Sequence, residues 1–245
     1  GFQGVNWGVP GATFRTLAPA RREIDSISPG RYPKFAGIEI VRSTHFPADW
    51  QGDVITADFR AHRIVRFKVS EQGAGYVTQE RPDLMRTTAD SFRPIDARLG
   101  PDGALYIADW SNPIIQHGEV DFRDPRRDKA HGRIWRVAVK GAAPLARIDF
   151  TQLDVRSLLD RLLSPNGYDQ ERAKRVLVER GAALVRPELD AWTARQTTGA
   201  ARLHALWLYQ AFNHPNPALL AALLAAPDGR VRAAAVRAVP ATAGL

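Results

Sequence analysis

The feature that most constrains this chain is an internal repeat. Asp53–Val69 reads DVITADFRAHRIVRFKV, and Ala104–Trp110 with Arg133–Val139 reads ALYIADW followed by RIWRVAV. Each copy runs strand, Ala-Asp-aromatic, connection, then Arg-Ile-x-Arg and a further strand. In the second copy a strand carrying Ile95, Ala97 and Leu99 leads into it through Gly100-Pro101-Asp102-Gly103. Alternating residues on both sides of such a turn signal a hairpin. Repeats of about 40 to 50 residues built from four short strands characterise β-propellers. The expected fold is therefore a β-propeller fragment of about two blades, with strands at Asp53–Asp58, Arg63–Val69, Ala104–Asp109 and Arg133–Val139. Two blades cannot close a ring that needs about four to eight, so the chain reads as truncated at both ends.

The two copies differ in one place. Arg63 follows Asp58 by five positions and Arg133 follows Asp109 by 24, so the second connection is 19 residues longer. That connection holds His117, Glu119, Asp121, Arg123, Asp124, Arg126, Arg127, Asp128 and His131. A long polar loop between rigid strands is commonly functional. Six of its residues form the candidate ligand-binding set: His117, Arg123, Asp124, Arg127, Asp128 and His131. Equivalent connections in adjacent units emerge on one side, which makes Arg60, His62 and Asp109 candidate neighbours. Three readings stay open: ion pairs that pin the loop, a metal site built from acidic oxygens and imidazoles, and Arg contacts to an anionic substrate or cofactor. No spacing matches a known metal motif, and no Ser-His-Asp order, phosphate loop or dinucleotide motif is present. Asp58 and Asp109, at matched strand ends, read as acceptors for neighbouring backbone N–H groups; Trp110 and Trp135 read as packing aromatics.

After Gly141 the apolar spacing turns helical. Val155, Leu158, Leu159, Leu162 and Leu163 share a face before a Ser-Pro-Asn-Gly break. Further faces carry Ala173, Val176 and Leu177, then Leu189 and Trp192 in a helix opened by Pro187. Leu203, Leu206 and Trp207 follow, and after them Leu219, Leu220 and Leu223. Short amphipathic helices joined by Pro, Asn, Asp and Gly turns suggest a HEAT-like α-helical solenoid, with an irregular helical bundle as the alternative. The expected division is a loop-rich lead-in over 1–34, blades over 35–140, a linker over 141–152 and helical repeats over 153–245. With 44% hydrophobic and 24% charged residues the composition is that of a globular chain. The net charge of +8 is spread along the chain rather than interleaved with aromatics, so no nucleic acid partner is expected. No apolar run is long enough to span a bilayer. The absence of Cys excludes disulfides, Cys-ligated zinc, thiol catalysis and covalent haem attachment within these residues.

Phe35–Val69 and Phe92–Val137 resemble the propeller module of the large PVC-type haem-binding CxxCH proteins, a group of membrane-bound dehydrogenase-like proteins. The most specific strings are Asn112-Pro-Ile-Ile-Gln-His117 and His131-Gly-Arg-Ile-Trp-Arg136. That module is in turn similar to the sorbosone and glucose dehydrogenases. The resemblance implies a propeller followed by HEAT-like repeats and a cytochrome c domain, in a periplasmic or cell-envelope protein. It also implies a quinone-dependent sugar or alcohol dehydrogenase using pyrroloquinoline quinone (PQQ) and calcium, with haem c beyond this chain and a carbohydrate or alcohol substrate. The helical repeats would then dock the cytochrome domain or another protein. The Cys-x-x-Cys-His motif is absent here, and no catalytic base of the family maps onto this sequence. A non-catalytic carbohydrate- or protein-binding role with a helical docking arm stands as the alternative.

Overall fold

The repeat builds two hairpins in the same register. The computed structural model describes residues 4–8, 26–28, 35–116 and 118–239. Strands β1 (Phe35–Ile40), β2 (Val54–Asp58), β3 (Arg63–Gln72) and β4 (Gly75–Arg86) form an antiparallel sheet in chain order. Strands β5 (Pro94–Leu99), β6 (Leu105–Asp109) and β7 (Arg133–Val137) form a second. Asp58 pairs with Arg63 and Ala57 with Ile64; correspondingly, Asp109 pairs with Arg133 and Ala108 with Ile134. Each hairpin also carries an ion pair near its other end, Arg66 Nε to Asp53 Oδ2 at 2.8 Å and Arg136 Nε to Asp102 Oδ2 at 2.7 Å. Lys68 Nζ lies 3.2 Å from Asp53 Oδ1, close enough for attraction although misaligned for a hydrogen bond.

The propeller expectation does not survive this topology. The described residues form a mixed α/β structure with two open antiparallel sheets of four and three strands followed by helices, and among them neither sheet closes. The repeat specifies hairpin register through side-chain alternation and its Asp–Arg pairs. Closure of a ring depends on packing between sheets, which no local pattern encodes.

Residues 1–146 and 147–245 are separate compact units. In the first, one face of the β1–β4 sheet buries Ile55, Ala57 and Ile64 against Phe92, Ala97, Leu99, Leu105 and Ile107. Its other face buries Val54, Val65 and Phe67 with Val5. Strand β2 is consequently buried along its whole length. Gly103 closes the turn between β5 and β6 at φ +80°. A Cβ there would stand 2.8 Å from Ser43 Oγ, 2.8 Å from His45 Cβ and 2.7 Å from Leu145 Cδ1, so only glycine fits. His45 Nε2 accepts the Val139 N–H at 3.0 Å, and Nδ1 lies 3.2 Å from the Ala143 carbonyl. With Nε2 the acceptor, Nδ1 carries the proton and donates.

The second unit contains α1 (Val155–Arg161), α2 (Gly167–Arg180), α3 (Ala182–Arg195), α4 (Gly199–Ala211), α5 (Pro217–Leu224) and α6 (Gly229–Val236). Side-chain N-caps start four of them. Asp154 accepts from Ser157 N–H, Thr198 from Ala201, Asn216 from Leu219 and Asp228 from Arg230. The expected apolar faces gather in one core that includes Leu158, Leu177, Leu189, Trp192, Leu206 and Leu220. The HEAT-like solenoid expectation is corrected as well: the described helices range from 7 to 14 residues and share one core, where stacked repeats would each contact only their neighbours. Two local expectations also change. Pro187 lies inside α3 rather than opening it, because Gly181 at φ +83° makes the break after α2. Leu163 is exposed because α1 ends at Arg161, before its face reaches that position. No helix among the described residues is long and apolar enough to cross a membrane.

Candidate functional site

The long connection between β6 and β7 is built outward from Asp109. This carboxylate is buried at the end of β6 and accepts four hydrogen bonds. Oδ1 takes the backbone N–H of Arg93 at 2.8 Å and of Ser111 at 2.9 Å. Oδ2 takes Arg133 Nε at 2.8 Å and Trp135 Nε1 at 3.0 Å. A carboxylate with this many donors is a structural acceptor, its lone pairs already used. The repeat counterpart Asp58 accepts from Ala61 N–H at 3.2 Å and from Arg63 Nε at 3.3 Å. Both aspartates thus bond backbone N–H groups, as their positions suggested. Trp135 meets Phe92 edge-on beside this hub while keeping much of its surface exposed, and Trp110 is exposed rather than packed.

Arg93 joins the two connections. Its side chain is buried and donates to the carbonyls of Asn112 (3.0 Å), Phe59 (2.9 Å) and Pro113 (3.1 Å). Its Nη1 is 3.3 Å from His62 Nε2, while His62 Nδ1 is 3.0 Å from the Phe92 carbonyl. Burial lowers the Arg93 pKa, opposed by the charges of Asp90 and Asp109. His62 therefore does reach the root of the long loop, through Arg93. Arg60 is exposed nearby in sequence, and none of these contacts involves it. Sequence reasoning missed Arg93, an isolated Arg between Phe92 and Pro94 with no charge pattern around it.

The loop's own charges hold it. Arg127 donates to three carbonyls, Asp121 at 3.0 Å, Gln116 at 2.8 Å and Val120 at 2.8 Å. Asp124 binds Arg126 through both oxygens, with Nη2 to Oδ2 at 2.7 Å, and also accepts the Arg126 N–H. The Arg126 side chain and N–H hold the Asp124 carboxyl down at about 2. Asp128 accepts the N–H groups of Ala130 and His131 and faces His131 Nδ1 at 3.0 Å, which holds its carboxyl below the ordinary range. Asn112 Nδ2 donates to the Asp128 carbonyl at 3.0 Å, tying this turn to the loop's root. Arg123, Phe122 and His131 are exposed. The candidate residues thus form two local clusters, one around Arg127 with Asp124 and one around Asp128 with His131. His117 lies outside the described residues.

These partners limit what the loop can hold. Calcium takes about six to eight oxygen ligands. No three His, Asp or Glu side chains among the described residues gather to hold a metal ion. Asp121 Oδ1 is likewise taken, by the Arg123 N–H at 2.7 Å. The donor set does not fit calcium. Nor do Arg126 and Arg127, spent on Asp124 and on the loop carbonyls, form a free fork for a quinone carboxylate.

The comparisons with known proteins reach one family. The model of a family described as a domain of unknown function, DUF7133, matches residues 10–141, more than half of the chain, and the protein belongs to that family. No curated protein matches. Among solved structures, the chain is similar to a Thermus thermophilus protein described as an oxidoreductase (glucose dehydrogenase). The identity is 21%, the match covers 55% of this chain and 34% of that one, and the TM-score is 0.32. The chain therefore spans about a third of that protein's length.

Proposed function

We propose that this chain is the substrate-contacting part of a sugar or alcohol dehydrogenase-like oxidoreductase, and that the loop over 110–132 makes the contact. The observation that carries the reading is the bracing of the loop by Arg127. Three backbone carbonyls converge on one guanidinium, so the loop is ordered before any ligand arrives. Phe122 offers an apolar face, and Arg123 and His131 offer polar groups, all on the exposed surface. An aromatic surface flanked by hydrogen-bonding side chains suits a polyhydroxylated ligand. Quinone, calcium and haem c belong, in this reading, to parts of a cell-envelope protein outside this chain, and the helical unit docks the electron-accepting domain.

The test uses the full-length protein reconstituted with PQQ and calcium and assayed with a panel of sugars and alcohols. Arg123→Ala and Phe122→Ala should raise KM about tenfold or more with little change in thermal stability. For Arg123 this follows from the roughly 1.5 to 3 kcal/mol of a charged hydrogen bond, and for Phe122 from the roughly 1.5 to 3 kcal/mol of covering its ring. Unchanged KM in both variants would overturn the assignment. A second reading, binding without turnover, is favoured by one observation: Asp124, Asp128 and Arg127 are all committed to holding the loop. Calorimetric binding of a sugar with no quinone reduction would select it.

A further inference from the structure

The two hairpins share their register but not their surroundings. Strand β3 is covered on its outer edge by β4, paired from Arg63–Arg86 to Gln72–Gly75. Strand β7 occupies the same place in the second hairpin, and among the described residues no strand pairs with its outer edge. Side-chain cover on the sheet faces differs as well at equivalent positions. Ile64 is 0% exposed, and Ile134 is 71% exposed. Val65 is buried, and Trp135 is exposed. An uncovered strand edge with apolar side chains is a template for another strand.

The chemistry of that strand follows from the arginine that opens each outer strand. Arg63 and Arg133 both place Nε on the aspartate across the hairpin. Arg63 also receives two carboxylates from β4, Glu80 Oε1 at 2.8 Å and Asp83 Oδ1 at 3.1 Å. Arg133 has Ser91 in their place, its carbonyl at 3.0 Å and its hydroxyl at 3.1 Å, and its side chain is 36% exposed against 14% for Arg63. We propose that the outer edge of β7 binds an extended acidic segment of a partner protein, which adds a fourth strand and sets carboxylates against Arg133. A second copy of this chain fits less well. Pairing two β7 strands would line four arginines, Arg133 and Arg136 of each, along one five-residue ladder in a chain of net charge +8. This inference rests on the β7 edge alone and is independent of the reading of the loop.

The probe is a fluorescein-labelled eight-residue peptide alternating Val and Glu, titrated into the full chain and followed by fluorescence polarisation. A Val/Lys peptide and a Val/Glu peptide with alternate N-methylated amides serve as controls. The acidic peptide should bind, both controls should bind at least about tenfold more weakly, and hydrogen exchange should show new protection at residues 133–137. Ile134→Glu, at an exposed position that spares the fold, should weaken binding about tenfold, while Ile134→Lys should retain it. Equal binding of acidic and basic peptides would overturn the proposal. So would protection elsewhere, an Ile134→Glu variant that binds as tightly as the parent, or self-association by sedimentation that Ile134→Glu abolishes.

Discussion

Replacing Asp109 with Ala should be among the most damaging single substitutions in the first unit. The side chain is buried and accepts from Arg93 N–H, Ser111 N–H, Arg133 Nε and Trp135 Nε1, so its removal strands four donors at once. Arg93 N–H and Ser111 N–H become buried and unsatisfied, each costing about 1–3 kcal/mol. Loss of a buried ionic partner costs about 3–5 kcal/mol, a figure to be discounted here because Arg133 is partly exposed and can rehydrate. Together these place the cost at about 3–5 kcal/mol. At roughly 2–4 °C per kcal/mol for a domain of this size, the midpoint of the β-rich unit should fall by about 6–20 °C. Asp58 supplies the internal control. It is equally buried but, among the described residues, accepts from Ala61 N–H and Arg63 Nε alone, so Asp58→Ala should cost about half as much. Thermal melts followed by circular dichroism at a β-sensitive wavelength, together with urea titrations, give both numbers. If Asp109→Ala costs under about 1 kcal/mol, or no more than Asp58→Ala, the hub argument fails.

Two further outcomes test the loop and the turn. Asp124 should titrate at about 2 by carboxyl NMR, and its pKa should rise toward the ordinary value of 3.8 in Arg126→Ala. Because the folded pKa is depressed, its contribution to loop order is present above about pH 4 and is lost as pH falls toward 2. Local hydrogen exchange at 121–127 should report that loss, and an unshifted Asp124 would contradict it. Gly103→Ala should destabilise the first unit by about 2–4 kcal/mol, since it combines a left-handed backbone with close contacts to Ser43, His45 and Leu145. A variant that melts with the parent protein would show that the turn relaxes freely.

The local pieces of this fold were legible in the sequence, while their assembly was not. Alternation and the Asp–Arg spacing identified both hairpins because register is written in side-chain period and in neighbours that meet across two strands. The helical faces were readable for the same reason, with Asp154, Thr198, Asn216 and Asp228 standing where caps belong. Pro187 misled because a proline within a helix costs one hydrogen bond, which tertiary packing of Val185, Leu189 and Trp192 offsets. The ring inferred from the repeat had no local signature at all. In the site, counting charges singled out the loop but not the division of labour within it. That Arg127 takes carbonyls rather than a ligand depends on loop path. Arg93 was invisible because a buried arginine bonded to backbone leaves no partner pattern in the sequence.

The matched Asp–Arg pairs have a consequence for how this chain tolerates change. Asp109 and Arg133 meet with the same register as Asp58 and Arg63, although 24 positions separate the first pair and five the second. Closing the longer connection costs only about 1.4 kcal/mol more in chain entropy, by the logarithmic dependence on loop length. The clamp thus insulates the strands from whatever lies between them. Insertions, deletions and rewritten side chains within 113–130 should leave the sheet's alignment intact. This point in the hairpin is where new recognition chemistry can be tried without risking the frame that displays it.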